Sequence, residues 1–175
     1  MTRLLHLATL VLLGALAQAA AAQGHAHEHG LVRLDVAIDG PLLSLQLEAP
    51  LDSLVGFEHR PRTPAQRAAA DAAIERLKQG AALWRPDAAA QCRLAESRLQ
   101  AEALQHSDTA PQAGHADLDA LYVFRCAAPA QLNALQHGLF EAFPRIQRLQ
   151  VQVAGPQGQF RQTLRRPATA LRLAR

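Results

Sequence analysis

A chain of 175 residues with a formal charge of +3 has room for one buried core and carries only a slight excess of base. With aromatics at 4% and no dense Lys/Arg stripe, it lacks the footprint of a nucleic-acid-binding protein. Two cysteines far apart in sequence give no C-x-x-C pair, so a thioredoxin-type role has no support.

Residues 1–22 read as a cleaved secretory signal peptide. Arg3 supplies the positive end, Leu4 to Leu16 the apolar stretch, and "ALAQAAAA" the small residues of a cleavage site after Ala19 or Ala22. The apolar stretch is shorter than the roughly 20 residues a membrane span needs. No lipidation cysteine lies nearby, so the expectation is a soluble exported protein without a membrane span, its charge reduced to +2 by the loss of Arg3.

The tail "QGHAHEHG", residues 23–30, places His25, His27 and His29 at every second position. In extended chain such positions share a face. Neutral imidazoles bind zinc and copper, and Glu28 can add an oxygen. The plainer reading is a polar leader with no fixed structure. Cleavage after Ala22 would add a second option, because an amine two residues before His25 can wrap Cu²⁺ or Ni²⁺ in a square plane. Cyclisation of Gln23 would remove that site.

A single α+β domain is expected over residues 31–166. "LVRLDVAIDGPLLSLQLEAP" alternates as a hairpin: Val32, Leu34, Val36 and Ile38 share a face, Asp39-Gly40 turns, and Leu43, Leu45 and Leu47 return. Asp52 is expected to cap the short turn "LDSLVG". In "TPAQRAAADAAIERLKQG" the N-cap is Thr63, Pro64 sits at the first helical position, Gln66 completes a capping box and Gly80 fits the C′ position. The inward stripe of this helix is Ala69, Ala73, Ile74 and Leu77.

Two further strands follow, "CRLAESRLQAEAL" and "HADLDALYVFRC". In an exported protein two lone cysteines usually pair, and a Cys92–Cys126 bond would contribute about 3–4 kcal/mol on the chain-entropy argument. If they are directly opposed on antiparallel strands, paired positions sum to 218, which sets Leu94 against Phe124. The midpoint then falls at Thr109, inside the turn-like "HSDTAPQAG". Glu96, Arg98 and Gln100 interrupt the apolar face of the first strand. Pro129 is read as opening a second helix with Leu132 and Leu135 inward, closing near Gly138. "RLQVQVAGPQGQFRQTLRR" is a last hairpin with Leu149, Val151 and Val153 on one face, and 167–175 a solvated tail. The order β-β-α-β-β-α-β-β contains βαββαβ, which predicts an antiparallel sheet with helices on one face, a ferredoxin-like core with extra terminal strands.

Chemistry is concentrated in histidine. No G-x-S-x-G elbow, H-E-x-x-H helix or Gly-rich phosphate loop occurs. Beyond the tail, His106 and His115 flank the hairpin loop, with Asp117 and Asp119 following His115 on one strand face. Loop histidines and solvent-facing aspartates are also ordinary. His59 ends "GFEH" beside Glu58, where it is either a ligand or a partner of a loop carbonyl. His137, in the last turn of the expected second helix, reads as a structural cation at a helix end.

The stretches "HEHGLVRLDVAIDG", "APLDSLVGFEHRPRT", "AALWRPDAAAQC", "HADLDALYVFRC" and "GLFEAFPRIQRLQVQV" together resemble the zinc-regulated periplasmic proteins of the ZrgA type. That resemblance implies a periplasmic zinc-binding protein, made when zinc is scarce, that helps deliver the ion to components of an import system. Its histidine-rich N-terminus corresponds to His25, His27 and His29. Its histidine-rich insertion corresponds to the loop from His106 to His115, which here is sparse in ligands. The leading expectation is therefore a zinc-binding accessory protein and not an enzyme, with His25, His27, His29, His59, His106, His115 and Asp117 as candidate ligands. The alternatives are an envelope protein–protein interaction module with incidental histidines and a metal-dependent hydrolase.

Overall fold

A computed structural model of the chain describes residues 28–101, 104 and 117–174. The signal-peptide reading, His25, His27, His106, His115 and the expected turn at Thr109 lie outside the described residues.

The chain begins as its alternation dictates. Strands β1 (Leu31–Asp39) and β2 (Leu42–Pro50) pair antiparallel from Arg33↔Glu48 to Asp39↔Leu42. Val32, Leu34, Val36, Leu43, Leu45 and Leu47 are buried on one face. Because side chains alternate along a strand, Arg33, Asp35 and Gln46 fall on the opposite, polar face.

Helix α1 (Leu51–Val55) follows β2 directly, and α2 (Pro64–Lys78) starts with the expected capping box: Thr63 accepts from the Gln66 N–H while the Gln66 side chain accepts from the Thr63 N–H. The buried stripe of α2 is Ala70, Ala73 and Leu77, with Ile74 half-buried. Ala69 is exposed, so the stripe lies one position round the helix from the expected one. Gly80 opens the short α3 (Gly80–Leu83) and does not take the left-handed conformation of a usual C′ glycine.

Strand β4 (Cys92–Gln100) pairs antiparallel with β5 (Asp117–Cys126), and Cys92 and Cys126 form a disulfide. The expected register holds for Cys92↔Cys126, Arg93↔Arg125 and Leu94↔Phe124. It then slips by one residue, with Ala95 bulged out, to Glu96↔Val123. That slip accounts for the interrupted apolar face. Past the bulge, Ser97 and Leu99 oppose the buried Tyr122 and Ala120, while Glu96, Arg98 and Gln100 turn to the polar side.

The second helix does not form. Pro129–Gln131 make a single 3-10 turn, Ala134–His137 are strand β6, and only Leu139–Ala142 are helical, as α4. Leu132, Leu135 and Leu139 fit a helical period, but Asp87 accepts hydrogen bonds from the backbone N–H groups of Asn133 and Ala134 at 2.8 and 2.7 Å and holds the segment extended. Strand β6 then pairs between β3 (Trp84–Pro86) and β9 (Ala170–Arg172) as a small antiparallel sheet. The C-terminal stretch is therefore not a frayed tail: Leu171 and Leu173 are buried in the core.

The last hairpin, β7 (Arg148–Gly155) and β8 (Gly158–Arg165), turns through Pro156-Gln157 as the sequence predicts. The main sheet runs β4-β5-β2-β1-β7-β8. The fold is α+β, but the sheet is mixed, since β1 and β7 are parallel. The ferredoxin-like arrangement is not reproduced: β2 and β5 pair antiparallel, as the first and third strands of such a core would, but β1 is inserted between β2 and β7, and β6 with α4 occupies the place of the second helix. The apolar face of the main sheet, α2 and the small sheet enclose one core. The Gln162 amide joins the two sheets by donating to the Arg172 carbonyl at 2.7 Å and accepting from its N–H at 3.3 Å.

Candidate functional site

Strand direction assembles one end of the main sheet. The start of β1, the end of β2 with α1, the start of β5 and the end of β4 all lie there, as the pairs Pro50↔Asp117 and Gln100↔Asp119 record. The described chain begins, at Glu28, and resumes, at Asp117, at this end.

The backbone entering β1 is gripped on both sides. The Gly30 N–H donates to the buried Ser53 hydroxyl at 3.0 Å, and the Gly30 carbonyl accepts from Gln147 and Arg148 at 2.8 and 2.9 Å. Gly30 has φ +76°, and a β-carbon there would sit 3.1 Å from the Arg145 carbonyl. Glu28 forms an ion pair with Arg148. The residue between, His29, is thereby directed at α1 and the loop after it. Its Nδ1 is 3.7 Å from Asp52 Oδ2, and its Nε2 is 3.5 Å from Glu58 Oε1. The ring is 69% exposed, Glu58 45% and Asp52 22%.

Asp52 is not a cap. Pro50 occupies the N-cap position of α1 with no side-chain bond, and the Asp52 carboxylate in the first turn faces His29 instead. The helix ends at Gly56, φ +85°, where any β-carbon would meet the Arg145 guanidinium at 2.7 Å. This tight passage directs the chain into Phe57-Glu58-His59. The His59 ring stacks on Phe57 at 5.3 Å, and its Nδ1 lies 2.8 Å from the Arg60 carbonyl. A carbonyl can only accept, so Nδ1 is the donor in this contact.

Asp117 and Asp119 share the polar face of β5. Burial, then Glu48 and then Asp117, raise the Asp119 carboxyl above the usual carboxylate range. His137 is fully buried in β6, against Trp84 and edge-on to Phe140 at 4.8 Å. Burial lowers its pKa to about 4, with Arg85 adding to that shift and the Ala168 backbone opposing it. It is a neutral core residue and not a cation at a helix end.

Of the sequence candidates, His29 and His59 are thus placed at this sheet end with Asp117, and the structure adds Asp52, Glu58 and Arg148. Among the described residues no three His, Cys, Asp or Glu side chains are arranged to hold one metal ion. One signal for Asp52 was present in the sequence. Two strands of equal length joined by a tight turn return the chain, and hence α1, to the level of His29.

Residues 26–173 match the ZrgA family of zinc uptake proteins, and the chain belongs to that family. No curated protein matches the chain. Its function is accordingly related to zinc, and among the described residues no helix is long and apolar enough to cross a membrane.

Proposed function

We propose that this protein is a periplasmic zinc carrier without enzymatic activity that captures the ion at the β1 end of the main sheet and passes it to components of an import system. The observation that carries the proposal is His29, held between Asp52 and Glu58 where the histidine-bearing tail joins the folded domain. His25, His27, His59, His106, His115 and Asp117 complete the ligand supply. The leader of residues 1–22 and the disulfide fit an oxidising compartment outside the cytoplasm.

Imidazoles prefer Cu²⁺ to Zn²⁺ intrinsically, so zinc loading follows availability, and a tail beginning at Gln23 would also take Cu²⁺ or Ni²⁺. Protonated imidazole cannot ligate, so zinc affinity falls as pH drops through the ordinary histidine range.

The test is zinc titration at neutral pH of the chain beginning at Gln23, beside one lacking residues 23–29. Weaker binding and a lower zinc count in the shortened chain support tail capture. Unchanged binding removes the tail from the account, and no binding by either chain ends the zinc-carrier reading.

A further inference from the structure

We propose that the outer edge of β8 is a docking strand for an extended acidic segment of a partner protein, which adds to the main sheet beside Arg161 and Arg165. Nothing in it depends on zinc.

Charge is divided unevenly along the chain. All 15 acidic residues fall at or before Glu141, whereas residues 142–175 hold seven arginines and no acid. Strands β7, β8 and β9 come from that acid-free stretch, and the strand order puts β7 and β8 together at one side of the main sheet. Among the described residues Arg161 and Arg165 have no carboxylate partner. Arg161 donates to the Gln152 amide oxygen at 3.2 Å, and Arg165 stands directly opposite Arg148, which is taken by Glu28. On the same face, by contrast, Arg33 and Arg98 are paired with Glu48 and Glu96. Arg172, exposed in β9 and joined to Gln162 through its backbone, adds a further positive charge alongside β8.

The two edges of the main sheet are built differently. β4 is bulged at Ala95, a device that twists an edge away from foreign strands. β8 has no such break. Its pairing with β7 is regular from Arg148↔Arg165 to Gly155↔Gly158, and it contains no proline. Among the described residues, the backbone of 161–164 makes no hydrogen bond outside its ladder with β7. One row of N–H and C=O groups is therefore open along the strand. Arg161, Thr163 and Arg165 alternate along its exposed face, with Gln162 and Leu164 turned inward.

Charge decides what that row accepts. A second copy pairing antiparallel about Thr163 would set Arg161 against Arg165 twice, four guanidinium groups with no acid among them, so self-pairing is opposed. Lipid phosphates can neutralise arginines but offer no donors to open carbonyls, and Arg161, Thr163 and Arg165 present no apolar surface to enter a bilayer. An added strand satisfies donors and acceptors alike. Carboxylates on alternate positions of that strand, about 13 Å apart, then stand beside both guanidinium groups. Backbone pairing supplies the affinity and the arginines the selection of sequence.

The experiment uses the chain beginning at Gln23 and dye-labelled synthetic peptides of strand-forming sequence. One carries glutamates spaced to face Arg161 and Arg165, one has lysines in their place, and one keeps the glutamates but has prolines between them. Fluorescence anisotropy at low ionic strength should show binding of the first alone, weakening as salt is raised. Amide hydrogen exchange should then slow in β8 and stay unchanged in β4. Arg161→Glu combined with Arg165→Glu should weaken the glutamate peptide by about tenfold or more and gain the lysine peptide, a swap that a misfolded variant would not show. Equal binding of the proline-bearing peptide, or binding without protection of β8, would overturn strand addition. Failure of the wild-type chain to bind the glutamate peptide would overturn the proposal, as would binding to phosphatidylglycerol vesicles in its place.

Discussion

Gly80 lies so close to the ring of Tyr122 that a β-carbon on it would stand 2.5 Å from Cδ1 and 2.8 Å from Cε1. The contact is the seam between the helical layer and the sheet. Tyr122 comes from β5, and its hydroxyl donates to the Leu77 carbonyl in the last turn of α2 at 2.8 Å. Burial raises the phenol's pKa well above its usual range, so it stays neutral and remains a donor.

Gly80→Ala must therefore push the ring, α3 or both, and the hydroxyl loses its geometry at Leu77. Overpacking of this kind costs about 1–3 kcal/mol. Urea unfolding at neutral pH should show that loss, with a lower midpoint and an unchanged slope. A variant as stable as wild type would mean that the seam yields without strain.

Arg166 closes the end of α4 in place of a conventional cap. Its guanidinium donates to the carbonyls of Ile146 at 2.7 Å, Phe143 at 3.1 Å and Phe140, and lies 5.2 Å over the Phe140 ring. Arg166→Ala leaves carbonyls in a partly buried place without donors, and the expected loss is about 2–3 kcal/mol. Arg166→Lys should recover only part of it, because a single ammonium cannot span a fork of carbonyls. Equal stability of the alanine and lysine variants would argue against the fork.

The Cys92–Cys126 bond joins edge strand β4 to β5 across a sequence separation of 34. Replacing both cysteines by alanine should remove about 3–4 kcal/mol of stability. Apart from the disulfide, β4 relies on Leu94 before the bulge and Leu99 beyond it, both only half-buried. Amide hydrogen exchange should therefore accelerate in β4 before β1 or β2. Uniform acceleration through the sheet would show that the disulfide acts on the unfolded chain alone.

Legibility in the sequence followed the locality of the cause. The β1–β2 hairpin, the capping box at Thr63 and the β7–β8 turn depend on residues a few positions apart, and all form as read. The Cys92↔Cys126 register was accessible because two cysteines fix a pairing at long range. Segment 129–138 was misread because its apolar spacing suits helix and strand alike, and the Asp87 carboxylate that decides between them is over forty residues upstream. At the candidate site, His29 and His59 were visible as residue types. Asp52 was read as a cap instead, because its position beside His29 follows only when the legible return of β2 to the start of β1 is carried on into α1.

His137 gives the last expectation, and its sign runs opposite to that of a paired histidine. It is fully buried among Trp84 and Phe140, with Arg85 the charge acting on it; the Ala168 backbone acts weakly on the ring, and among the described residues neither ring nitrogen has a partner at full hydrogen-bonding geometry. Burial lowers its pKa from 6.5 to about 4 in the folded protein. Above pH 6.5 both folded and unfolded chains hold the ring neutral, and the residue contributes no pH dependence. As pH falls from 6.5 toward about 4, the unfolded chain takes up the proton first, so stability drops by roughly 1.4 kcal/mol per unit, to about 3 kcal/mol in total. His137→Leu cannot take up that proton and should flatten this part of the curve relative to wild type. Urea midpoints measured from pH 7.5 to 4 on both proteins decide the matter: parallel curves would mean that the ring reaches solvent or a partner when charged, whereas curves diverging only below pH 6.5 place the acid sensitivity of the small sheet at this one imidazole.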